Sequence, residues 1–466
     1  MKLDTLIDGL AVRTAGPDVE VLDLSSDSRE LGPGWAFLAL KGEKADGASF
    51  LPQALGQGAC AVLSETPVEA PEGIATCRFE GEPRLRMADL ARRLHGAPDE
   101  ALALIGVTGT NGKTTTTTLI RQLLRGTGLG CGLVGTVLNA AGNLEEEAVR
   151  TTPESPAFYR WLARSVSAGD VASAVEVSSH ALCLGRVHGA RFQVGLFTNL
   201  TQDHLDYHGT LEAYFQVKAA LRGQCQSFLA NADDPYGQRL LSEAGCLGYA
   251  LDREADYRAT DLDLGPTGTR FTLVTPRGQW PVASPLLGRF NAYNLLAALA
   301  ACAEAGFDLD RLVPAVTCVS GAPGRLERVD CGQPFGVMVD YAHTPDALEK
   351  LLVEGRRLLT PARASTCSSA AAGTATAPSA PSWLRPWPWA PMWSGTPATI
   401  PALRIPSASW TTRPRASPSR SAPMSSATTA MRTGGAWCAA PWRTAAPATC
   451  CCWPARATSP IRRSMA

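Results

Sequence analysis

No apolar run in this 466-residue chain is as long as a membrane span requires. The first ten residues, MKLDTLIDGL, carry an early Asp4 and no extended apolar stretch, so neither insertion nor secretion is indicated and a cytoplasmic protein is expected. The fourteen cysteines include no C-x-x-C pair and no metal-ligand spacing; in a cytoplasmic protein they read as reduced thiols, which excludes a disulfide framework.

A second absence is sharper. No Asp or Glu follows Glu354, and from Gly355 to Ala466 there is also no Lys, Asn, Gln, His, Phe, Tyr or Val. Thirteen of the 43 basic residues lie in this tail, all arginine, so a formal net charge of zero conceals a front of 30 basic against 43 acidic residues and a purely cationic end. The tail holds eight of the eleven tryptophans, and its prolines recur every few residues, which prevents helices and sheet interiors.

Two readings of the tail stand. One is a disordered cationic arm, with nucleic acid as its partner; the tryptophans and the run Cys450-Cys451-Cys452-Trp453 fit that poorly. The other is a shifted reading frame. Regrouping each residue's first two bases with the third base of the preceding codon permits strings containing GGGGDRD, VAVGADVV, SDNPR and LLAGKGHE in that order, with the break near Thr360 to Thr366. These are ordinary strand and loop sequences.

The length suits about three domains. Residues 1–88 contain short apolar segments (Val19 to Leu24, Trp35 to Leu40, Ala59 to Leu63) between Gly/Pro/Asp turns, the pattern of a small α/β domain. Residues 89–330 alternate strands and helices, with the clearest strands at Leu102 to Val107, Ala172 to Val177 and Gln193 to Phe197, which predicts a mainly parallel sheet. Residues 331–362, with a strand at Val337 to Tyr341, open a third α/β unit that the aberrant segment 363–466 does not complete.

Gly109-Thr110-Asn111-Gly112-Lys113-Thr114-Thr115 follows the apolar run Ala101 to Val107 and precedes the helical pattern Thr116 to Leu124. A buried strand, a glycine-permissive turn and a helix N-terminus together form a phosphate-binding loop, with backbone N–H groups and the helix dipole facing the anion. Lys113 then reaches the β/γ-phosphates and the Thr114 hydroxyl holds Mg²⁺. The match to G-x-x-x-x-G-K-[ST] is imperfect, because the outer glycine is displaced to Gly106.

Glu176, in AVEVSSHAL, ends a buried strand, where a carboxylate is costly without a cation or donors. A metal ligand and a strand-end cap are the two readings, and His180 behind it reads as structural. The segment LFTNLTQDHLDYHGT packs Asp203, His204, Asp206 and His208 together, a density suited to a metal or phosphate site or to helix capping. Lys218 in YFQVKAAL is surrounded by apolar residues; its spacing alone favours a snorkelling surface lysine, while a deprotonated amine there could take up CO₂ as a carbamate.

Together DSRE, ALKGEKADG, GVTGTNGKTT, RTTPES, EVSSHAL, TNLTQDHLDYHGT, YFQVK, NADD, GRFNAYNLLAA, PGRLE and VDYAHTPDAL resemble the ATP-dependent Mur ligases of peptidoglycan synthesis, over Asp23 to Leu352. The likeness is to the branch that adds the third residue of the stem peptide. It implies three domains: a small α/β UDP-binding domain, a central P-loop domain and a C-terminal Rossmann-like domain, the last not formed in this chain. The substrates it implies are ATP, UDP-N-acetylmuramoyl-L-alanyl-D-glutamate and an amino acid.

By motif, Ser28, Glu43, Lys44 and Ala45 fall at the uridine nucleotide, and Thr151, Thr152, Ser178 and Arg186 at the muramoyl dipeptide. Glu176 and His204 fall at Mg²⁺, and Lys218 as the carbamylated lysine. Asn294, Arg325, Asp340 and His343 surround ATP. Leu184 departs from the glutamine common in the family. GDRD, DNPR and GKGHE, which the family's last domain supplies, appear only in the shifted frame. DNPR there points to meso-diaminopimelate over lysine, its arginine pairing with the distal carboxylate. A sister Mur ligase or a folylpolyglutamate synthetase is the rival enzyme, and DSRE with KGEKADG argues against the latter. A UDP-substrate- and nucleotide-binding remnant without activity is the rival from another class.

Overall fold

The computed structural model describes residues 1–357 except 43, 44, 330, 334, 335, 343 and 344. Among the described residues no helix is long and apolar enough to cross a membrane.

The first sheet contains β1 (Ala11–Ala15), β2 (Asp23–Ser25), β3 (Trp35–Ala39), β4 (Ala61–Ser64) and β5 (Ala75–Phe79), in the order β1-β5-β4-β3-β2. Only β1 runs antiparallel to its neighbour. β4 is buried along its whole length and β3 beyond its first residue, because apolar clusters cover both faces of the sheet; that is why their sequences are continuous apolar runs without alternation. Of the expected segment Val19 to Leu24 only its end is strand. Val21 and Leu22 instead donate backbone hydrogen bonds to Met1 and Gly34.

The second sheet has eleven strands. They are β6 (Ala103–Thr108), β7 (Cys131–Val134), β8 (Leu138–Ala141), β9 (Leu144–Glu147), β10 (Ala172–Glu176), β11 (Phe192–Phe197), β12 (Cys225–Asn231), β13 (Leu247–Ala250), β14 (Tyr257–Gly265), β15 (Gly268–Thr275) and β16 (Gly278–Ser284). The order is β16-β15-β14-β13-β12-β11-β6-β10-β7-β8-β9. β14 through β7 are parallel, and the antiparallel arms β15-β16 and β8-β9 extend the two ends. The fold is therefore mixed α/β around a mainly parallel sheet, as the strand and helix alternation predicted.

β6 is flanked by β10 and β11, both later in the chain, so the connections leaving β6 and β10 diverge at this point of the sheet. Ligands of open parallel sheets bind in the crevice at the carboxyl ends of strands where the order reverses. The ends of β6, β10 and β11 carry GTNGK, Glu176 and the TNLTQDH segment respectively.

One hydrophobic cluster runs from the first sheet and helix Pro83–Leu94 into helix Ser155–Ser167 and one face of the second sheet. At this junction Arg160 donates to Asp23 Oδ2 at 2.5 Å and to the Leu24 carbonyl at 2.7 Å, and lies 4.5 Å from the Trp35 ring centroid. A buried carboxylate paired across the seam helps fix the relative placement of the two sheets, since separating the pair leaves Asp23 with only His95 and the Leu24 N–H as partners. Beyond Leu326 an antiparallel pair, β17 (Glu327–Val329) and β18 (Val337–Val339), is followed by helix Pro345–Arg357.

Candidate active site

The loop after β6 turns on two glycines with positive φ, 137° at Gly109 and 90° at Gly112. A Cβ on Gly109 would lie 2.0 Å from Thr198 Oγ1, and one on Gly112 would lie 2.6 Å from Asn294 Oδ1. Both positions therefore need glycine for conformation and for space. Helix Lys113–Gly126 starts immediately afterwards, three residues before its apolar pattern begins. Of the loop's backbone donors, Thr110 N–H is taken by the Asn199 carbonyl at 2.8 Å and Asn111 N–H by Asn199 Oδ1 at 3.0 Å. The N–H groups left to face an anion are those of the helix start.

Two lysines share one carbonyl. Lys113 Nζ donates to Gly109 O at 2.9 Å and to Thr110 O at 2.8 Å, while Lys218 Nζ donates to the same Gly109 O at 2.8 Å. Lys218, on helix Leu211–Ala219, is only 1% exposed, with its Nζ 4.5 Å from the Tyr214 ring centroid. The snorkelling surface lysine favoured by spacing is thus overturned, because the helix packs this residue beneath the loop. Burial, and secondly the charge of Lys113, pushes the Lys218 pKa well below the ordinary lysine value. Burial also lowers Lys113, opposed by Glu176 and reinforced by Arg325. A buried amine crowded by a second cation and with no acidic hydrogen-bond partner among the described residues is suited to carbamylation, which converts it to an anion.

A stability test follows. With the folded pKa depressed, the unfolded chain binds more protons between the folded value and lysine's ordinary value of about 10.5, so stability rises with pH across that window. Lys218→Met removes the buried cation. It is expected to stabilise the chain in CO₂-free buffer by about 1–3 kcal/mol at the low-pH side of the window, with the gain shrinking as pH rises. Thermal unfolding against pH measures this; a gain that grows with pH would contradict it.

Glu176 is 1% exposed and its carboxylate accepts three hydrogen bonds. Thr114 Oγ1 donates to Oε2 at 2.9 Å, Thr136 Oγ1 to Oε2 at 3.0 Å, and Thr136 N–H to Oε1 at 2.7 Å. A Cβ on Gly135 would meet Oε1 at 2.5 Å, so the Gly135-Thr136 turn is shaped around this carboxylate. Thr136 escaped the sequence analysis because VGTV carries no chemical signal by itself. Hydroxyl and carboxylate oxygens meeting at Thr114 and Glu176 are the hard donors that Mg²⁺ prefers, so the residues present fit such an ion. The two residues also line one end of a cavity of about 380 Å³ bounded by Arg121, Gln122, Leu286 and Leu326.

His204 has φ 50° and lies 3.5 Å from Asp203, at the start of the short helix Leu205–His208. His180 packs on Tyr207 with ring centroids 4.3 Å apart, and burial lowers its pKa. His208 Nε2 lies 2.9 Å from Ser179 Oγ. Among the described residues no three His, Cys, Asp or Glu side chains converge as a metal cluster, so the density of Asp203, His204, Asp206 and His208 in sequence does not become a ligand set of its own.

On the other side of Glu176, Thr152 Oγ1 donates to the Glu176 carbonyl at 2.7 Å and lies 3.2 Å from Ser178 Oγ, while Arg186 donates to the Thr152 carbonyl at 3.0 Å. Thr151 Oγ1 is 3.1 Å from Thr136 Oγ1. Thr151, Thr152, Ser178 and Arg186 therefore form one polar group beside the buried carboxylate. Arg186 also pairs with Glu154 at 2.8 Å, and burial lowers its pKa. Ser28 donates to Gln53 Oε1 at 2.7 Å in the first sheet's domain, and Ala45 is exposed. Glu43, Lys44 and His343 lie outside the described residues.

Asn294, on helix Arg289–Glu304, accepts from Thr116 Oγ1 at 3.4 Å, beside the loop. Arg325 stacks 4.6 Å from the Tyr341 ring centroid, and Asp340 accepts from Leu326 N–H at 2.7 Å, joining the PGRLE and VDYAH segments. Thr115 is buried at the third position of the loop helix.

Two family models match this chain: "Mur ligase family, catalytic domain" over residues 21–97 and "Mur ligase middle domain" over residues 107–302. A UDP-N-acetylmuramoyl-L-alanyl-D-glutamate--2,6-diaminopimelate ligase of Geobacillus thermodenitrificans is 43% identical over 367 residues, 76% of this chain and 74% of that protein. The ligase of the same name from Streptomyces coelicolor is 42% identical over 360 residues, 75% of this chain and 71% of that one. A solved structure of a ligase of this name aligns with TM-score 0.64 at 34% identity, covering 78% of this chain and 75% of the other. A MurF ligase from Thermotoga maritima, solved in complex with ADP, shares the fold at TM-score 0.55 and 20% identity, over 76% of this chain and 78% of that one.

Proposed function

Since this chain belongs to the Mur ligase family, we propose that it is an ATP-dependent amide ligase of peptidoglycan synthesis that joins meso-diaminopimelate to UDP-N-acetylmuramoyl-L-alanyl-D-glutamate in the cytoplasm. The observation that carries the reading is the junction of the GTNGKTT loop with Glu176 through Thr114, at the carboxyl ends of β6 and β10, in a chain 43% identical to a ligase of that name.

Making an amide from a carboxylate requires a better leaving group than hydroxide. The D-glutamate γ-carboxylate oxygen attacks the γ-phosphorus of ATP, the bond to the β-phosphate oxygen breaks, and ADP leaves behind an acyl phosphate. The amine of meso-diaminopimelate then attacks the acyl carbon and inorganic phosphate departs. Catalysis of the first step is mostly positioning and charge neutralisation. Lys113 leaves its loop carbonyls for the phosphates. The helix-start N–H groups of Gly112, Lys113, Thr114 and Thr115 hold phosphate oxygens, with Gly109, Thr110 and Asn111 shaping the turn. Asn294, Arg325, Asp340 and His343 border the nucleotide.

Thr114, Glu176, His204 and a carbamate on Lys218 would hold Mg²⁺, which neutralises phosphate charge when bound. Thr151, Thr152, Ser178 and Arg186 orient the muramoyl dipeptide, and Ser28, Glu43, Lys44 and Ala45 hold its uridine end. In this reading residues 1–88 bind the UDP-sugar, 89–330 bind ATP, and 331–362 begin the amino-acid domain.

A second reading is favoured by the composition after Glu354: the chain with this tail keeps both nucleotide sites but lacks the amino-acid site. Titration of the purified chain with UDP-N-acetylmuramoyl-L-alanyl-D-glutamate, alongside an assay of meso-diaminopimelate-dependent ADP release, separates the readings. Binding with little or no release is the expected result. Release at a normal ligase rate would reject the second reading, and no binding would reject both.

A further inference from the structure

The segment Thr198 to Thr201 does more than follow β11: it is fastened to the phosphate loop atom by atom. The side-chain amide of Asn199 pairs with the backbone of one residue, Oδ1 accepting the Asn111 N–H at 3.0 Å and Nδ2 donating to the Asn111 carbonyl at 3.1 Å. The Asn199 carbonyl accepts the Thr110 N–H at 2.8 Å. Thr198 Oγ1 adds a donor to the Asn111 carbonyl at 2.6 Å, and Thr201 N–H donates to Thr110 Oγ1 at 3.0 Å. The loop residues Thr110 and Asn111 thus take their shape from the end of a neighbouring strand. Their N–H groups are spent on Asn199, whereas those at the helix start have no carbonyl one turn back to bond.

We propose that Asn199 is the positioning residue of the phosphate loop, its amide acting as a template that turns Asn111 away, next to its own backbone carbonyl's hold on Thr110, and so presents the Gly112 to Thr115 N–H groups to a polyphosphate. An amide is needed because it alone matches a backbone N–H and C=O with one acceptor and one donor in a plane. A carboxylate keeps the acceptor but sets a second acceptor against the Asn111 carbonyl, and alanine leaves both backbone groups without these partners. Asn199 touches no phosphate in this arrangement; it acts through the loop. The inference rests on the loop being a nucleotide site.

The test uses the full chain and a non-hydrolysable ATP analogue with Mg²⁺, with UDP-N-acetylmuramoyl-L-alanyl-D-glutamate as control ligand. Asn199→Ala and Asn199→Asp are expected to weaken the analogue by about tenfold to a hundredfold, from the loss of one to two buried backbone hydrogen bonds, and to leave the control ligand within about twofold. The ratio of Asn199→Asp to parent affinity, followed from about pH 7 down to about pH 4, where an aspartate of ordinary pKa is about half protonated, supplies a signature that a purely structural role would not give. As the aspartate takes up a proton it regains a donor for the Asn111 carbonyl, so the ratio recovers toward that of the parent. Asn199→Ala shows no such recovery.

Parent-like analogue affinity in Asn199→Ala overturns the proposal. So does an Asn199→Asp deficit that persists unchanged at low pH, or loss of the control ligand in equal measure, which would mean the domain and not the loop had been disturbed. If the parent chain itself fails to bind the analogue, the nucleotide reading falls and this inference falls with it.

Discussion

Restoring the reading frame by one base between codons 360 and 366 raises meso-diaminopimelate-dependent ADP release by about a thousandfold or more over the chain as written; this is the largest effect expected. The reasoning starts from composition. A stretch of 112 residues without a single Asp, Glu or Lys, yet with eight of eleven tryptophans, is not what selection for a folded enzyme leaves behind. Regrouped by one base, the same codons permit GDRD, DNPR and GKGHE in family order. In the family those segments recognise the incoming amino acid, whose distal carboxylate a bidentate arginine pairs. Without them the activated carboxyl group has no positioned nucleophile, and the proximity contribution to the second chemical step is lost. Two measurements check this: resequencing of the template over about codons 350 to 380, and side-by-side turnover of the two chains. A written chain already turning over within about tenfold of the restored one would show that the tail is not a broken domain.

Lys113→Ala in the frame-restored chain lowers kcat by about a thousandfold, the second largest effect expected. Lys113 Nζ rests between the carbonyls of Gly109 and Thr110, which places it over the mouth of the loop. Burial already disfavours its charge, so a polyphosphate arriving there gains a cation with little water left to strip. Removing it leaves the transferring phosphoryl group without its nearest fixed positive charge, a term of transition-state stabilisation more than of binding. Lys113→Arg should not rescue, because a planar guanidinium does not fit a site shaped for a compact ammonium held by two carbonyls. Affinity for the UDP-muramoyl dipeptide should stay unchanged. The comparison of kcat, analogue affinity and UDP-substrate affinity decides the point: a kcat within tenfold of the parent would remove Lys113 from the chemistry.

Much of the fold was legible because buried parallel strands write themselves as apolar runs: β6, β10 and β11 stand within a residue or two of their expected places. The arms β14 to β16 were not singled out. Their half-buried alternation, as in Gly268–Thr275, is weaker than a continuous run and is interrupted by polar residues facing solvent. At the site, the loop and Glu176 announced themselves through residue types that are costly or special in their settings. Asn199 and Thr136 did not, because their importance lies in which backbone atoms they meet.

The sequence by itself determined the phosphate loop, the mainly parallel sheet that carries it, the family likeness and the break in composition after Glu354. Those are properties of local order and residue chemistry, which a linear reading preserves. Only the tertiary structure decided that Lys218 is buried on the same carbonyl as Lys113, that Thr136 and Thr114 together engage Glu176, and that Asn199 consumes two of the loop's N–H groups. Each of these depends on the ends of different strands meeting in space. The separations along the chain, 109 residues for Lys218 and Gly109 and 88 for Asn199 and Asn111, are far beyond any periodicity that sequence can display.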